Sequence, residues 1–477
     1  MKKIIALIAA AAFVLSLATM APAAHQGRSN LKTTGYLQTS VGGSHGLSEG
    51  SGDFTAGLRL RQYFDYMASE NLKAVVGYEF DSDWGSTSQN TNNNPGMIGA
   101  DIGGDGFSGD NDGQNFGIAI QRAMLQFTLP GSEAQIKSGI QYISLPGGAI
   151  GVNPVLAGDA AGITMSSPVS DTMDLTLGWT RAMDTSASYA GPGIDAFFAS
   201  LPIKQDGFSV SPYASYAIVG KYVDQTLMGS AYYRGFDNMD SGYPDLEESA
   251  NVYWVGTSFD VTMMYPVAMR GSLIYGSMDT DKKVNERAGW YADLSMKYKM
   301  EQMTPEVFGW YASGEDDDTT DGSETMPFIY NDAATSKAPS FLVGDMTYLG
   351  ITSKGVEKLQ SEPAGLWCAG VALNHISLTK SLTGTLMAAY YQGTSDKENG
   401  GLNADGESPL YQNMGIALTE EDSAWEVTVS SNYEIYENLS AIMEAGYGAA
   451  DYDEDVWGDD YKDESAHQVA GGLRYNF

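Results

Sequence analysis

Stretches of about ten residues in this chain alternate strictly between apolar and polar side chains, and the polar face repeatedly carries full charges. In residues 54–63, Phe54, Ala56, Leu58 and Leu60 share one face, while Thr55, Gly57, Arg59 and Arg61 share the other. In residues 71–81, Leu72, Ala74, Val76, Tyr78 and Phe80 stand opposite Lys73, Val75, Gly77, Glu79 and Asp81. Residues 290–300 set Trp290, Ala292, Leu294, Met296 and Tyr298 against Tyr291, Asp293, Ser295, Lys297 and Lys299. Further on, Trp425, Val427, Val429, Tyr433 and Ile435 oppose Glu426, Thr428, Ser430, Asn432 and Glu434. Successive side chains of a strand point to opposite faces. A face that holds full charges meets water rather than a packed core. Beyond residue 24, no segment approaches the ~18 consecutive apolar residues of a membrane-spanning helix. The chain therefore reads as all-β, a transmembrane antiparallel β-barrel with one strand face on lipid and the other on water.

The final segment sharpens this reading. His467, Val469, Gly471, Leu473, Tyr475 and Phe477 share the outward face, and Gln468, Ala470, Gly472, Arg474 and Asn476 the inward one. A strand that stops on an aromatic residue looks like the C-terminal assembly signal of outer-membrane barrels, carried here by Tyr475 and Phe477. At the other end, Met1-Lys2-Lys3 is a basic start, residues 4–20 are apolar apart from Ser16 and Thr19, and Ala21-Pro22-Ala23 supplies small cleavage-site residues. Residues 1–24 are thus expected to be a cleaved signal peptide. Residues 25–477 would form a single barrel domain in the bacterial outer membrane. A membrane anchor would need ~20 apolar residues with polar flanks.

Connections fall into two kinds. Short turns occur at 69–71, 130–132, 168–172, 379–381 and 437–438, and long polar segments at 85–114, 146–159, 183–205, 237–249, 314–364, 395–422 and 451–465. Short periplasmic turns and long, acidic extracellular loops are how bacterial barrels present their two ends. The count is about 18 strands, including one expected over 206–219 and one over 224–236. The alternative count is 16, because the segments 206–236 and 304–313 alternate least.

Charge excludes some classes. A formal net charge of −34 argues against nucleic acid, because phosphate binding rests on clustered Lys and Arg. The single Cys368 forms no internal disulfide, and four His leave little for a histidine metal site. No cofactor is expected. Ca²⁺ or Mg²⁺ would suit the carboxylates of the acidic loops, such as 315–324 or the eight in 451–464. Asp110 and Asp112, in 108–113, resemble the first half of an EF-hand loop, but Ala119 stands where the closing Glu would be. A solvated acidic face explains these runs as well. The chain is not expected to be an enzyme. Its one suggestive cluster, Asn374-His375-Ile376-Ser377, is a run of strand neighbours that alternate faces.

A barrel of this size leaves an aqueous lumen. Arg59, Arg61, Lys73, Arg122 and Lys137 would line one wall of it, where a basic cluster orients dipolar solutes and favours anions locally. A plainer reading, compatible with the first, pairs them with the inward Asp65, Glu79 and Asp81. Loop 146–159 is rich in Gly and small apolar residues (Gly147, Gly148, Ala149, Ile150, Gly151, Val152). Such a segment is costly in water, at about 25 cal/mol per Å² of apolar surface. It is expected to fold inward as a constriction, setting Asp159 near the basic wall. Its alternative use is as a subunit contact.

The runs Leu58-Arg-Leu-Arg61-Gln-Tyr-Phe-Asp65, Ala68-Ser-Glu-Asn-Leu-Lys-Ala-Val-Val-Gly-Tyr-Glu79, 141–146 and 155–169, the last with Asp159-Ala-Ala-Gly-Ile-Thr164, resemble the trimeric outer-membrane porins of Desulfovibrio-type sulfate-reducing bacteria. The resemblance covers the first third of the chain. Elsewhere it rests on architecture and the Phe477 ending, and the long 314–364 segment departs from it. It implies a homotrimer that conducts small hydrophilic solutes, with a constriction loop after the fifth strand. Small or polar outward residues on the first strands, Ala56, Gln62, Ala119, Gln121 and Ala123, would then face the trimer interface. The expected function is passive diffusion of small solutes or ions through a protein in contact with outer-membrane lipid and lipopolysaccharide. The alternative is a barrel-anchored surface protein whose acidic loops bind divalent cations, lipopolysaccharide or another cell.

Overall fold

The computed structural model describes residues 30–47, 52–84, 116–183, 193–221, 246–318, 321–331, 340–343, 359, 364–399, 418–458 and 464–477. The proposed signal peptide lies outside them. Eighteen barrel strands lie among the described residues. They are β1 (Asn30–His45), β2 (Gly52–Ser69), β3 (Leu72–Asp83), β4 (Phe116–Thr128), β5 (Gln135–Ser144) and β6 (Leu156–Ser170). There follow β7 (Met173–Met183), β8 (Ile194–Ser200, continued by Ile203–Gln205), β9 (Phe208–Val219), β10 (Ala250–Val261), β11 (Val267–Asp279) and β12 (Arg287–Tyr298). The last six are β13 (Thr304–Ala312), β14 (Leu366–Ser377), β15 (Leu382–Gly393), β16 (Ser423–Tyr436), β17 (Leu439–Asp451) and β18 (Glu464–Asn476). Each pairs antiparallel with its neighbour in the chain, and β1 also pairs with β18, from Tyr36↔Asn476 to His45↔His467. An even count in an up-and-down sheet brings first and last strands together antiparallel, so the sheet closes.

The closing seam is held by backbone. Gly35 N–H donates to the Phe477 carbonyl at 2.9 Å, and Phe477 N–H donates back at 3.0 Å. A Cβ on Gly35 would overlap the Arg61 carbonyl and touch the Phe477 ring, so this position has no room for a side chain.

Outward faces carry the apolar residues of the sequence pattern. Leu37, Val41, Val76, Leu125, Leu294, Met296, Val371, Val427 and Leu473 are all exposed on the barrel exterior. Two rings of exposed aromatics frame them. Tyr253, Trp290, Tyr311, Tyr390, Trp425 and Tyr447 lie towards the long-loop end, and Tyr66, Tyr298, Tyr433, Tyr475 and Phe477 towards the short-turn end. An apolar belt between aromatic girdles is the exterior of a membrane barrel. No helix among the described residues is long and apolar enough to cross a membrane.

Three details differ from the sequence expectation. Segment 183–205, read as a loop, contains β8. Its inward residues Ile194, Ala196 and Phe198 are buried and apolar, so the polar-in alternation is lost. The strand expected over 224–236 lies outside the described residues. In β4, a register shift opposite Gly77/Tyr78 leaves an extra residue at Gln121. Ala119 consequently pairs with Glu79 and shares its inward face, while Ile120 turns outward. Ala119 therefore drops out of the expected outward contact surface. A one-residue bulge reverses every face beyond it.

Candidate functional site: the barrel lumen

The inner wall of β2 to β4 is a lattice of cross-strand ion pairs. Register places Arg59 opposite Asp81 and Arg61 opposite Glu79. Arg59 donates through Nε to Asp81 Oδ1 (2.9 Å) and through a terminal nitrogen to Oδ2 (2.7 Å), the two-pronged geometry that suits guanidinium and carboxylate. Arg61 pairs with Glu79, which also lies 3.4 Å from Arg59 Nε. Lys73 reaches Asp65 at 3.2 Å. Arg122, beside the bulge, pairs with Asp159 and lies against the rings of Tyr63 and Tyr142, 6.0 and 5.6 Å from their centroids. Lys137 makes no ion pair among the described residues. Its charged neighbours, Lys73 and Arg122, are both cations. Asp65, Glu79 and Asp81 thus take the plain pairing role the sequence offered. The arginines nevertheless keep 27% and 30% of their side chains accessible at positions 59 and 61.

Loop 146–159 differs in extent from its sequence outline: β6 begins at Leu156, so Asp159 is a strand residue held by Arg122 and not part of the loop. Residues 145–155 run inside the barrel to the far wall. Asn153 Nδ2 donates to the Tyr213 hydroxyl of β9 (2.8 Å) and to the Pro146 carbonyl (2.9 Å), while its Oδ1 accepts the Val155 N–H (2.9 Å). Backbone N–H groups of Ala149 and Ile150 bind the Asp293 carboxylate of β12, which Ser272 also reaches at 2.9 Å. A Cβ on Gly148 would overlap both Asp293 and Ser272. Glycine here lets the main chain lie directly on the wall.

A second segment enters the lumen that the sequence reading left outside. Of 314–364, read as a long polar extracellular loop, residues Met326, Phe328, Ile329, Phe341, Leu342, Val343 and Leu359 are buried. Trp254 of β10 donates its Nε1–H to the Pro327 carbonyl (2.6 Å), and Ile329 N–H reaches Val155 O (2.8 Å). Tyr330–Asn331 then pairs parallel with Leu156 and Ala157 of β6. On the other side, the buried Glu426 of β16 accepts the N–H groups of Phe341 (3.0 Å) and Leu342 (3.2 Å) and the Tyr391 hydroxyl. The sequence signals were two apolar tracts, Met-Pro-Phe-Ile-Tyr at 326–330 and Phe-Leu-Val at 341–343, inside an acidic stretch.

At the mouth, Asp422 accepts from Thr419, Asp453 N–H and Trp457 Nε1, joining two long loops. The acidic run at 315–324 brings Asp316, Asp321 and Glu324 together, with ligand-type oxygens within 4.8 Å of one another. Burial raises the Glu324 carboxyl above its ordinary value; the Asp316 N–H that it accepts at 3.2 Å opposes the rise, and the charges of Asp316 and Asp321 add to it. Glu315, buried beside it, is pushed up to about 7 by burial, against the nearby Arg287. Asp110 and Asp112 lie outside the described residues. Asn374, from the suggestive cluster on β14, is engaged with Glu306 of β13 at 2.7 Å.

These features define a closed, eighteen-strand antiparallel barrel with chain drawn into its lumen and a charged inner wall. No protein-family model matches the chain, and no curated protein matches it. Solved barrels do. Acinetobacter baumannii OccAB4 superposes with a TM-score of 0.53 at 8% identity, covering 95% of this chain and 100% of that one. Acinetobacter baumannii OccAB1 gives 0.53 at 10% identity, covering 95% and 99%. Pseudomonas aeruginosa OprD gives 0.51 at 13% identity, covering 95% and 97%. At such identities the likeness is one of fold, and it extends over nearly the whole chain.

Proposed function

We propose that this protein is an outer-membrane porin, a passive channel for small hydrophilic solutes or ions. The observation that carries the reading is the inner wall of β2 to β4, whose paired charges remain partly open to the lumen. The fold-level neighbours, themselves outer-membrane porins, support it. Short turns then face the periplasm and long loops the exterior. Arg59, Arg61, Lys73, Arg122, Lys137 and Asp159 line or brace the conduction path, and segment 145–155 with 321–331 narrows it. Five cations against Asp65, Glu79, Asp81 and Asp159 leave a small positive excess on this wall, which favours anions locally. Export by a cleaved signal peptide, assembly through Tyr475 and Phe477, a homotrimer of the Desulfovibrio type, and lipopolysaccharide or divalent cations at the acidic loops complete the proposal. Catalysis and a resident cofactor form no part of it.

A second reading has one observation in its favour: apolar side chains, including Trp254, Tyr291, Phe308 and Trp310, fill the inward faces of the opposite wall. A barrel blocked in this way would serve as an anchor for its surface loops. Planar-bilayer recording with reversal potentials in a salt gradient decides between the two. Discrete current steps are expected for the porin; correctly folded protein that passes no current would leave the anchor.

A further inference from the structure

The chain has four histidines, too few for a metal cage, but two of them meet. His25 lies outside the described residues, and His375 belongs to β14, with β15, β16 and β17 between it and β18. His45 and His467 are register partners across the closing seam, the pair of the β1–β18 ladder nearest the long loops. They share the outward face of Val41 and Val469, which are exposed on the barrel exterior. Their ring centroids lie 5.6 Å apart, with the ring planes inclined by 32°.

That spacing fits a shared ligand. Residues directly opposite on antiparallel strands hold their Cβ atoms about 5 Å apart, so two imidazoles there can converge on one point. With nitrogen–metal bonds of about 2.0–2.1 Å, two imidazoles on one ion hold their ring centres roughly 5–6 Å apart. The surroundings leave the point open to a cation. In the same row, His467 pairs with Tyr447 of β17 and His45 with Gly52 of β2, and glycine has no side chain to cover the imidazole. Gly43 and Val469 form the next outward pair along the seam. Residues 43–47, 52–54, 445–449 and 465–469 include no lysine or arginine to repel a bound ion. Tyr447, with Trp425 at 5.7 Å between ring centroids, sets this row at the level of the aromatic girdle, where water reaches the wall. The formal charge of −34 draws divalent cations to the molecule.

We propose that His45 and His467 form a two-histidine site for a transition-metal cation such as Zn²⁺, with water completing the coordination. Imidazole nitrogen suits Zn²⁺, Cu²⁺ and Ni²⁺, whereas Ca²⁺ and Mg²⁺ take oxygen ligands. The site is therefore chemically distinct from the acidic loops. One ligand comes from the first strand and the other from the last, so the closed barrel offers both and an open sheet does not. A bound ion links β1 to β18 at the end of the seam opposite Gly35 and Phe477. The site lies on the outer surface and stands whether or not the lumen conducts.

Calorimetric titration of detergent-folded protein with Zn²⁺ tests this, with His25→Ala in every sample so that His25 does not compete. One ion per chain is expected, undisturbed by excess Ca²⁺. His45→Phe and His467→Phe each keep an aromatic ring at the girdle and remove the ligand nitrogen, so each should abolish this binding. Folding should respond in step. At free Zn²⁺ about a hundredfold above Kd, the folded-to-unfolded ratio should rise about a hundredfold in the native pair and not in the variants. No binding, or binding that survives both substitutions, would overturn the proposal, the second outcome assigning the ion to the carboxylates of the loops. If the variants do not fold, diethylpyrocarbonate labelling of the native chain decides. Zn²⁺ should slow the modification of His45 and His467 and leave that of His375 unchanged. Labelling of the pair that Zn²⁺ does not slow would overturn the site.

Discussion

The two halves of the inner wall use carboxylates in opposite ways. On β2 to β4, Glu79 and Asp81 meet arginines directly across the strand pair, and the pairs stay partly wet. On the far side, Asp293 and Glu426 are buried and accept backbone N–H groups from segments folded into the barrel. Both arrangements give a lumen-facing acid its hydrogen-bond donors, but only the first brings it a counter-charge. The first leaves a polar surface that solutes can touch; the second fastens chain to the wall and fills the space with apolar side chains such as Phe341 and Leu342. Choice of partner, cation or amide, separates a charged, accessible wall from a filled one.

If that contrast is right, the amide-binding acids should be structural to a degree the ion-paired ones are not. The largest effect is expected for Glu426→Leu. It strands the Phe341 and Leu342 amides and the Tyr391 hydroxyl, each at about 1–3 kcal/mol when buried without an acceptor. Unfolding in detergent should show a loss of several kcal/mol, and currents should become noisy. Wild-type stability would show that the amides find other partners and break the comparison on its far side.

Removing residues 147–152 takes away the segment whose amides bind Asp293. Single-channel conductance should rise several-fold while the barrel still resists heat in detergent. An unchanged conductance in folded protein would place the narrowing elsewhere, with 321–331 the next candidate.

On the near side, replacing Arg59, Arg61 and Arg122 together with Glu should move the reversal potential towards cation preference and change stability much less than Glu426→Leu. No movement would mean that the paired wall is not in the conduction path. The smallest effect is the coupling of Arg59 with Asp81. A double-mutant cycle should return no more than about 1 kcal/mol, because solvent still reaches and screens a pair whose side chains stay 27% and 35% accessible. A much larger coupling would make this wall resemble the buried one.

Legibility in the sequence followed the same division. Strands β2, β3, β12 and β16 could be read because outward apolar and inward polar residues alternate. That inward cations would meet inward Asp65, Glu79 and Asp81 could be read for the same reason, but which cation takes which acid is set by the strand register. Where the interior is dry, the rule fails. The strand Ile194–Ser200 is apolar on its inward face because it meets buried chain instead of water, so it looked like loop. The limb 321–331 was hidden by the acidic run before it, although Met326, Phe328 and Ile329 marked it as buried. The bulge at Gln121 has no signature in a single sequence, and with it the inward turn of Ala119 escaped.

The meeting of Gly35 with Phe477 has a consequence for the order of events. Until β18 arrives, β1 is one free edge of an open sheet, its N–H and C=O groups unmatched on one side. Such an edge is a template for pairing with any other extended chain. Seventeen strand pairings can be in place and the hazard persists undiminished; it ends only when the strand most distant in sequence completes the ring. Pairings this remote are slow to form. The protein therefore spends its assembly with its most aggregation-prone feature exposed, and sheds it in a single final step.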